Sequence, residues 1–89
     1  MLYNMSMDQD ILDTYESLPA RIRSMGDFHV RRDLQRMYRT CENIKRDIAR
    51  EQVNCRNGRD SHALLQLRNK FTESVTNLDQ YVTLALLSI

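Results

Sequence analysis

The sequence predicts an all-α fold, in which a short first helix is followed by a long antiparallel helical hairpin. Two observations favour it. The 89 residues include only two Gly and one Pro, so the chain lacks the turn residues that a multi-stranded fold needs. Apolar residues also recur every three or four positions in three segments. Because a chain of this length buries only a small core, residues 1–89 are predicted to form a single helical assembly domain.

The first helix is predicted at about residues 7–17. Ser6 and Gln9 have the spacing of a capping box, and the acidic residues that follow suit the positive end of a helix dipole. Pro19 is expected to end this helix, because a proline disfavours helical geometry in the residue before it. Pro19 is equally suited to begin a new turn of helix, with Ile22 and Met25 on its apolar face. Asp27 is the expected cap of the next helix.

The second helix, predicted at about residues 28–54, contains no Gly or Pro. Its apolar residues occupy the a and d positions of a heptad repeat, which is typical of helices that pair along a seam. They are Leu34, Met37, Cys41, Ile44 and Ile48. Cys41 and Cys55 are about 21 Å apart along one helix, too far for a disulfide, so both are expected to be reduced thiols.

The third helix is predicted at about residues 60–89, after a turn at Asn57 and Gly58. A connection this short requires the two long helices to be antiparallel. The residues that the third helix contributes to the seam are Leu67, Phe71, Val75, Leu78 and Val82.

Apolar residues that do not belong to the seam of either long helix predict a partner. They are Tyr38, Cys55, Tyr81, Leu84 and Leu87. Contiguous apolar surface of this kind usually marks a protein interface. A dimeric four-helix or coiled-coil bundle would cover it, so a homodimer is expected.

The charge is unevenly distributed. The formal net charge is +1, but residues 21–50 carry nine Lys or Arg against four Asp or Glu. A possible basic contact face consists of Arg31, Arg32, Arg36, Arg39, Arg46 and Arg50. A solvated helix face is the simpler interpretation, and contact with an acidic partner or nucleic acid is the alternative. Nucleic acid is disfavoured because no aromatic stacking platform accompanies the arginines.

Few residues are available for catalysis. The only histidines are His29 and His62, and both are expected to be exposed polar residues rather than the base that a nucleophile requires. The Cys and His spacing does not fit a zinc site, and there is no glycine-rich phosphate loop. The sequence predicts no enzyme activity, no metal and no cofactor. It also predicts neither a signal peptide nor a membrane span, and hence a soluble intracellular protein.

Three segments, in this order, resemble the N-terminal helical domain of the inhibitor-of-growth (ING) family. Residues 11–19 (Ile-Leu-Asp-Thr-Tyr-Glu-Ser-Leu-Pro) resemble its opening signature, in which Leu-Asp-Ser precedes Leu-Pro. Residues 32–34 (Arg-Asp-Leu) resemble the start of its long helix. Residues 79–85 (Asp-Gln-Tyr-Val-Thr-Leu-Ala) resemble an acidic pair followed by Lys-Val-Gln-Leu-Ala. The resemblance covers roughly residues 10–89.

The resemblance implies a nuclear, non-catalytic domain that dimerises or docks its subunit into a histone acetyltransferase or deacetylase complex. In that family a separate PHD finger reads a methylated histone lysine, and this chain lacks the finger's Cys and His ligands. An alternative stays open: a helical adaptor subunit of an unrelated cytoskeletal, trafficking or kinetochore complex. The sequence does not indicate which complex is joined, how the copies of a dimer are oriented, or whether the native chain continues past Ile89.

Overall fold

In a computed structural model, which describes residues 8–54 and 62–88, the chain forms three α-helices. Helix α1 spans Gln9–Arg23, α2 spans Phe28–Asn54 and α3 spans His62–Leu87. The described ranges contain no β-strand. The prediction of an all-helical fold is therefore confirmed. The molecule is elongated, with extents of 49 × 23 × 17 Å.

Helix α1 begins with a side-chain cap. The carboxylate of Asp8 accepts a hydrogen bond from the backbone N–H of Asp10 at 2.8 Å. Such a cap satisfies one of the backbone N–H groups that the first turn of a helix leaves unpaired. The helix thus begins at Gln9 rather than at residue 7. The expected cap, Ser6, lies outside the described residues.

The prediction that Pro19 ends the first helix near residue 17 is wrong. Pro19 lies inside α1, which continues to Arg23. A proline within a helix removes one backbone hydrogen bond and crowds the carbonyl four residues earlier, at a cost of about 3 kcal/mol. Burial offsets this cost, because Leu18 and Ile22 have 0% and 1% of their surface exposed. Each buried side chain of this size contributes about 1.5–3 kcal/mol.

The predicted cap of α2 at Asp27 is confirmed. The Oδ1 atom of Asp27 accepts hydrogen bonds from the backbone N–H groups of His29 at 2.9 Å and Val30 at 3.2 Å. The guanidinium of Arg31 donates to the carbonyl of Met25 at 2.7 Å. These bonds link the end of the α1–α2 turn to the first turn of α2.

One face of each helix contributes to a single core, and no polar or charged side chain is buried among the residues that the structure describes. The core residues are Tyr15, Leu18, Ile22, Met25, Leu34, Cys41, Ile44, Ile48, Leu64, Phe71, Val75, Leu78 and Val82. Their three- and four-residue spacing along each helix produces the amphipathic faces that pack together.

Helix α1 covers one side of the pair formed by α2 and α3. The ring of Tyr15 stacks on that of Tyr38, with centroids 5.0 Å apart, and lies 5.3 Å from the ring of Phe71. Nearer the end of α1, Arg21 forms an ion pair with Asp79 at 2.6 Å. The first helix is therefore part of the core rather than an appendage.

The most extensive helix packing is between α2 and α3. Val30 and Leu34, near the start of α2, line one groove with Tyr81 and Ala85, near the end of α3. The side of α2 and α3 that bears this groove carries no third helix within the described part of the chain.

Candidate interaction surfaces

His29 and His62 each contact a side chain of their own helix. The ring of His29 meets that of Phe28 edge-on, with centroids 5.6 Å apart. The Nε2 atom of His62 lies 3.0 Å from the side-chain amide of Gln66. In residues 8–54 and 62–88, no group of three or more His, Cys, Asp or Glu side chains is placed to hold a metal ion.

None of the helices in the described ranges is both long and apolar enough to cross a membrane.

The structure places the ten predicted seam residues in or against the core. Met37 and Leu67 are partly buried, and the other eight have 5% or less of their surface exposed. These eight are Leu34, Cys41, Ile44, Ile48, Phe71, Val75, Leu78 and Val82. Side chains this deeply buried stabilise the chain's own fold, so a partner has to be contacted by other residues.

Burial also governs the chemistry of two core side chains. It raises the pKa of the Tyr15 hydroxyl far above its ordinary value, and a hydrogen bond with Tyr38 raises it further. Burial likewise raises the pKa of the Cys41 thiol. Since a nucleophilic cysteine needs a lowered pKa, this thiol is a packing residue.

The apolar residues predicted to lie outside the core divide into two groups. Tyr38 stacks on Tyr15 and is partly buried against the core, contrary to the prediction. Tyr81, Leu84 and Leu87 are exposed by 55%, 61% and 75%. The fifth of these residues, Cys55, lies outside the described residues.

Tyr81 and Ala85 of α3 line an open groove of about 360 Å³, which is edged by Asp33 and has Leu34 among its lining residues. Leu84 lies one turn beyond Tyr81 on the same side of α3. We define the α2–α3 patch as the other apolar lining residues together with Leu84: Val30, Met37, Tyr81, Leu84 and Ala85. Grouped apolar side chains of this kind are typical of protein-binding surfaces.

Sequence reasoning missed Val30 as a member of this surface. Val30 is 37% exposed and precedes the heptad stripe, so it was not assigned to the seam. A signal was present, because Val30 lies four residues before Leu34 and seven before Met37. That spacing extends the apolar face of α2 by one turn.

The six arginines of the predicted basic face do not all lie on one surface. Arg31 is set apart, since its guanidinium lies 5.7 Å from the centre of the Phe28 ring and donates to the carbonyl of Met25. The other five are exposed and fall within about 80° of one another around the helix axis. We define them as the arginine strip: Arg32, Arg36, Arg39, Arg46 and Arg50.

The ion pair between α1 and α3 was not predicted. Arg21 donates to Asp79 at 2.6 Å and to the hydroxyl of Thr83 at 2.9 Å. Arg21 and Asp79 are 58 residues apart in the chain, and no local pattern links them. Only the packing of α1 against α3 brings them together.

Comparisons of this chain with protein-family models, with curated proteins and with solved structures find no match. Its function is therefore inferred from the surfaces described above and from the three segments that resemble the ING family.

Proposed function

We propose that this chain is a non-catalytic helical assembly domain whose α2–α3 patch binds a second copy of the chain. The observation that carries the proposal is the open groove between the start of α2 and the end of α3. Tyr81, which lines it, and Leu84, the next apolar residue one turn along α3, expose more than half of their surface. Because the removal of apolar surface from water is favourable, the hydrophobic effect favours a partner that covers these side chains.

The geometry supports a four-helix arrangement of α2 and α3 from two copies. In the proposal, α2 and α3 form an antiparallel hairpin, since Val30 near the start of one lies in the same groove as Ala85 near the end of the other. Helix α1 occupies one side of this hairpin. Two hairpins that meet on their open sides would build a four-helix bundle. A two-fold axis would then place the same patch on both copies in the contact.

The expected affinity is moderate. Two copies contribute ten patch side chains, five from each. If the burial of each side chain contributes about 1 kcal/mol, the ten together contribute about 10 kcal/mol to binding. The loss of translational and rotational freedom on association costs at least about 4 kcal/mol. The net of at most roughly 6 kcal/mol corresponds to a dissociation constant no lower than the tens of micromolar.

The resemblance to the ING family supports a nuclear setting for this assembly. The segments at residues 11–19 and 79–85 lie on α1 and α3. Arg21, just after the first segment, binds Asp79 at the start of the last one. In this proposal the chain dimerises, docks into a histone acetyltransferase or deacetylase complex and holds that complex together.

Sedimentation velocity over a range of concentrations tests the self-association. Leu84→Ser places a hydroxyl in the patch, and Leu65→Ser is the matched control. Leu65 is 50% exposed on the same helix, about 28 Å away along its axis. We expect Leu84→Ser to weaken dimerisation at least about tenfold and Leu65→Ser to leave it unchanged. Equal behaviour of the two variants would contradict the proposal.

Affinity capture from nuclear extract tests the setting. We expect the native chain to recover acetyltransferase or deacetylase subunits, and Leu84→Ser to lose them while Leu65→Ser keeps them. Recovery of cytoskeletal, trafficking or kinetochore proteins in the same pattern would retain the assembly role and replace the chromatin partner.

A further inference from the structure

We infer that the exposed back of α2 is a second docking surface, which binds an acidic amphipathic helix of another protein through the arginine strip. This surface is separate from the α2–α3 patch, because the strip and Val30 lie on different sides of α2 by helical geometry. It goes beyond self-association and does not depend on it.

The first support is the regularity of the strip. Arg32, Arg39 and Arg46 are seven residues apart, as are the positions of Arg36, Asn43 and Arg50. The two rows run side by side for about 27 Å. A heptad-spaced row of charges on one helix matches the side chains of a second helix packed along it.

The second support is that the first half of the strip has no ion-pair partner among the residues that the structure describes. Two ion pairs of the described residues join Arg21 to Asp79 and Arg50 to Asp47. Arg32, Arg36 and Arg39 are exposed and take part in neither pair. Their guanidinium groups are available for the bidentate hydrogen bonds that arginine forms with carboxylates.

The third support is a depression next to the strip, lined by both apolar and polar side chains. A groove of about 350 Å³ between α1 and α2 has Pro19, Ile22 and Tyr38 among its lining residues, with Arg23 and Arg39 also in the wall. Gln35 and one carboxylate, Glu42, complete the lining. Arg39 thus belongs to both the strip and the groove. An acidic helix with one apolar side chain fits both features at once.

The charges that flank the strip favour a protein helix over nucleic acid. By helical geometry Asp33 and Asp47 lie along one edge of the strip and Glu42 along the other. The basic surface is thus about as wide as one helix. In a DNA duplex, phosphates line both sides of a major groove about 12 Å wide. Bound to the strip, they would approach the carboxylates on its two edges.

The test uses the 89-residue chain and a fluorescein-labelled synthetic helix of 21 residues. The peptide carries Glu in two rows of heptad spacing and one Leu near its centre. Binding is measured by fluorescence anisotropy at low and moderate salt. We expect Arg36→Glu and Arg39→Glu each to weaken binding about three- to tenfold. Lys70→Glu makes the same charge change at an exposed position on α3 and is expected to change binding less than twofold.

Three controls make the result decisive. A peptide of the same composition with its Glu residues out of register is expected to bind at least about threefold more weakly. Leu84→Ser is expected to bind the peptide normally, which separates this inference from the proposed dimerisation. A 20-base-pair duplex is expected to bind more weakly than the peptide. The inference is overturned if the peptide does not bind, if Lys70→Glu matches Arg39→Glu, if register has no effect, or if the duplex binds more tightly.

Discussion

The two sides of the α2–α3 pair differ in what covers them. On one side α1 lies against the pair. Phe71 on this side contacts the ring of Tyr15 and is completely buried. On the other side Tyr81 and Leu84 are 55% and 61% exposed. Both sides belong to the same two helices and bear apolar residues at helical spacing. The difference shows that apolar periodicity identifies an apolar face of a helix. Whether that face is buried within the chain depends on how the three helices are arranged.

The largest expected effect on stability comes from removing a buried side chain on the covered side. Phe71→Ala is expected to lower the free energy of unfolding by about 3–5 kcal/mol, because it leaves a cavity beneath Tyr15. Leu84→Ala, on the open side of the same helix, is expected to cost less than about 1 kcal/mol. Urea unfolding followed by circular dichroism measures both. Similar losses in the two variants would remove the distinction between the sides.

A smaller effect of the opposite sign is expected within α1. Pro19→Ala restores a backbone N–H that can donate to the carbonyl of Tyr15 in the continuous helix Gln9–Arg23. Against this, the more flexible unfolded chain costs about 0.4–1 kcal/mol. We expect a net stabilisation of about 2 kcal/mol in thermal unfolding. A loss of stability would indicate that α1 needs a break at this position.

The ion pair that attaches α1 to α3 is expected to contribute less. Arg21 and Asp79 are both partly exposed, so solvent screens their attraction. A double-mutant cycle with Arg21→Gln and Asp79→Asn is expected to give a coupling energy of about 0.5–1 kcal/mol. The coupling should shrink in 1 M salt. A coupling that salt does not change would point to packing rather than charge.

The smallest effect near neutral pH is expected from the two buried titratable groups on the covered side. Burial raises the pKa of both the Cys41 thiol and the Tyr15 hydroxyl, so the folded state favours their neutral forms. Their contribution to stability is complete below the unfolded pKa values of about 8.5 and 10. It declines as pH rises above these values, since the unfolded chain releases the protons first.

Chemical unfolding between pH 7 and pH 11 separates these two groups. Cys41→Ala is expected to remove the part of the decline that begins near pH 8.5, and Tyr15→Phe the part that begins near pH 10. A decline of the same size and position in both variants would assign it to other groups.

The sequence predicted what depends on local spacing. The stripe through Leu34, Cys41 and Ile48 and the stripe through Phe71 and Val82 are helical repeats, and these side chains are buried. The same local reasoning failed where a distant contact outweighs a local preference. Because the burial of Leu18 and Ile22 offsets the cost of the proline, α1 continues past Pro19.

The candidate surfaces were predictable only in part. Tyr81 and Leu84 stood out as apolar residues off the stripe, and both are exposed. The groove that Tyr81 shares with Val30 depends on how the start of α2 meets the end of α3, which no single segment encodes. For the same reason the position of the groove at Arg39, between α1 and α2, was not foreseen.

The central claim is that the open side of α2 and α3 is covered by a second copy of the chain. Molar mass by light scattering over a concentration series tests it most directly, because the chain has a mass of 10.6 kDa. We expect the mass to rise with concentration toward twice that value, with a midpoint no lower than the tens of micromolar. A constant mass of one chain up to millimolar concentration would contradict the claim.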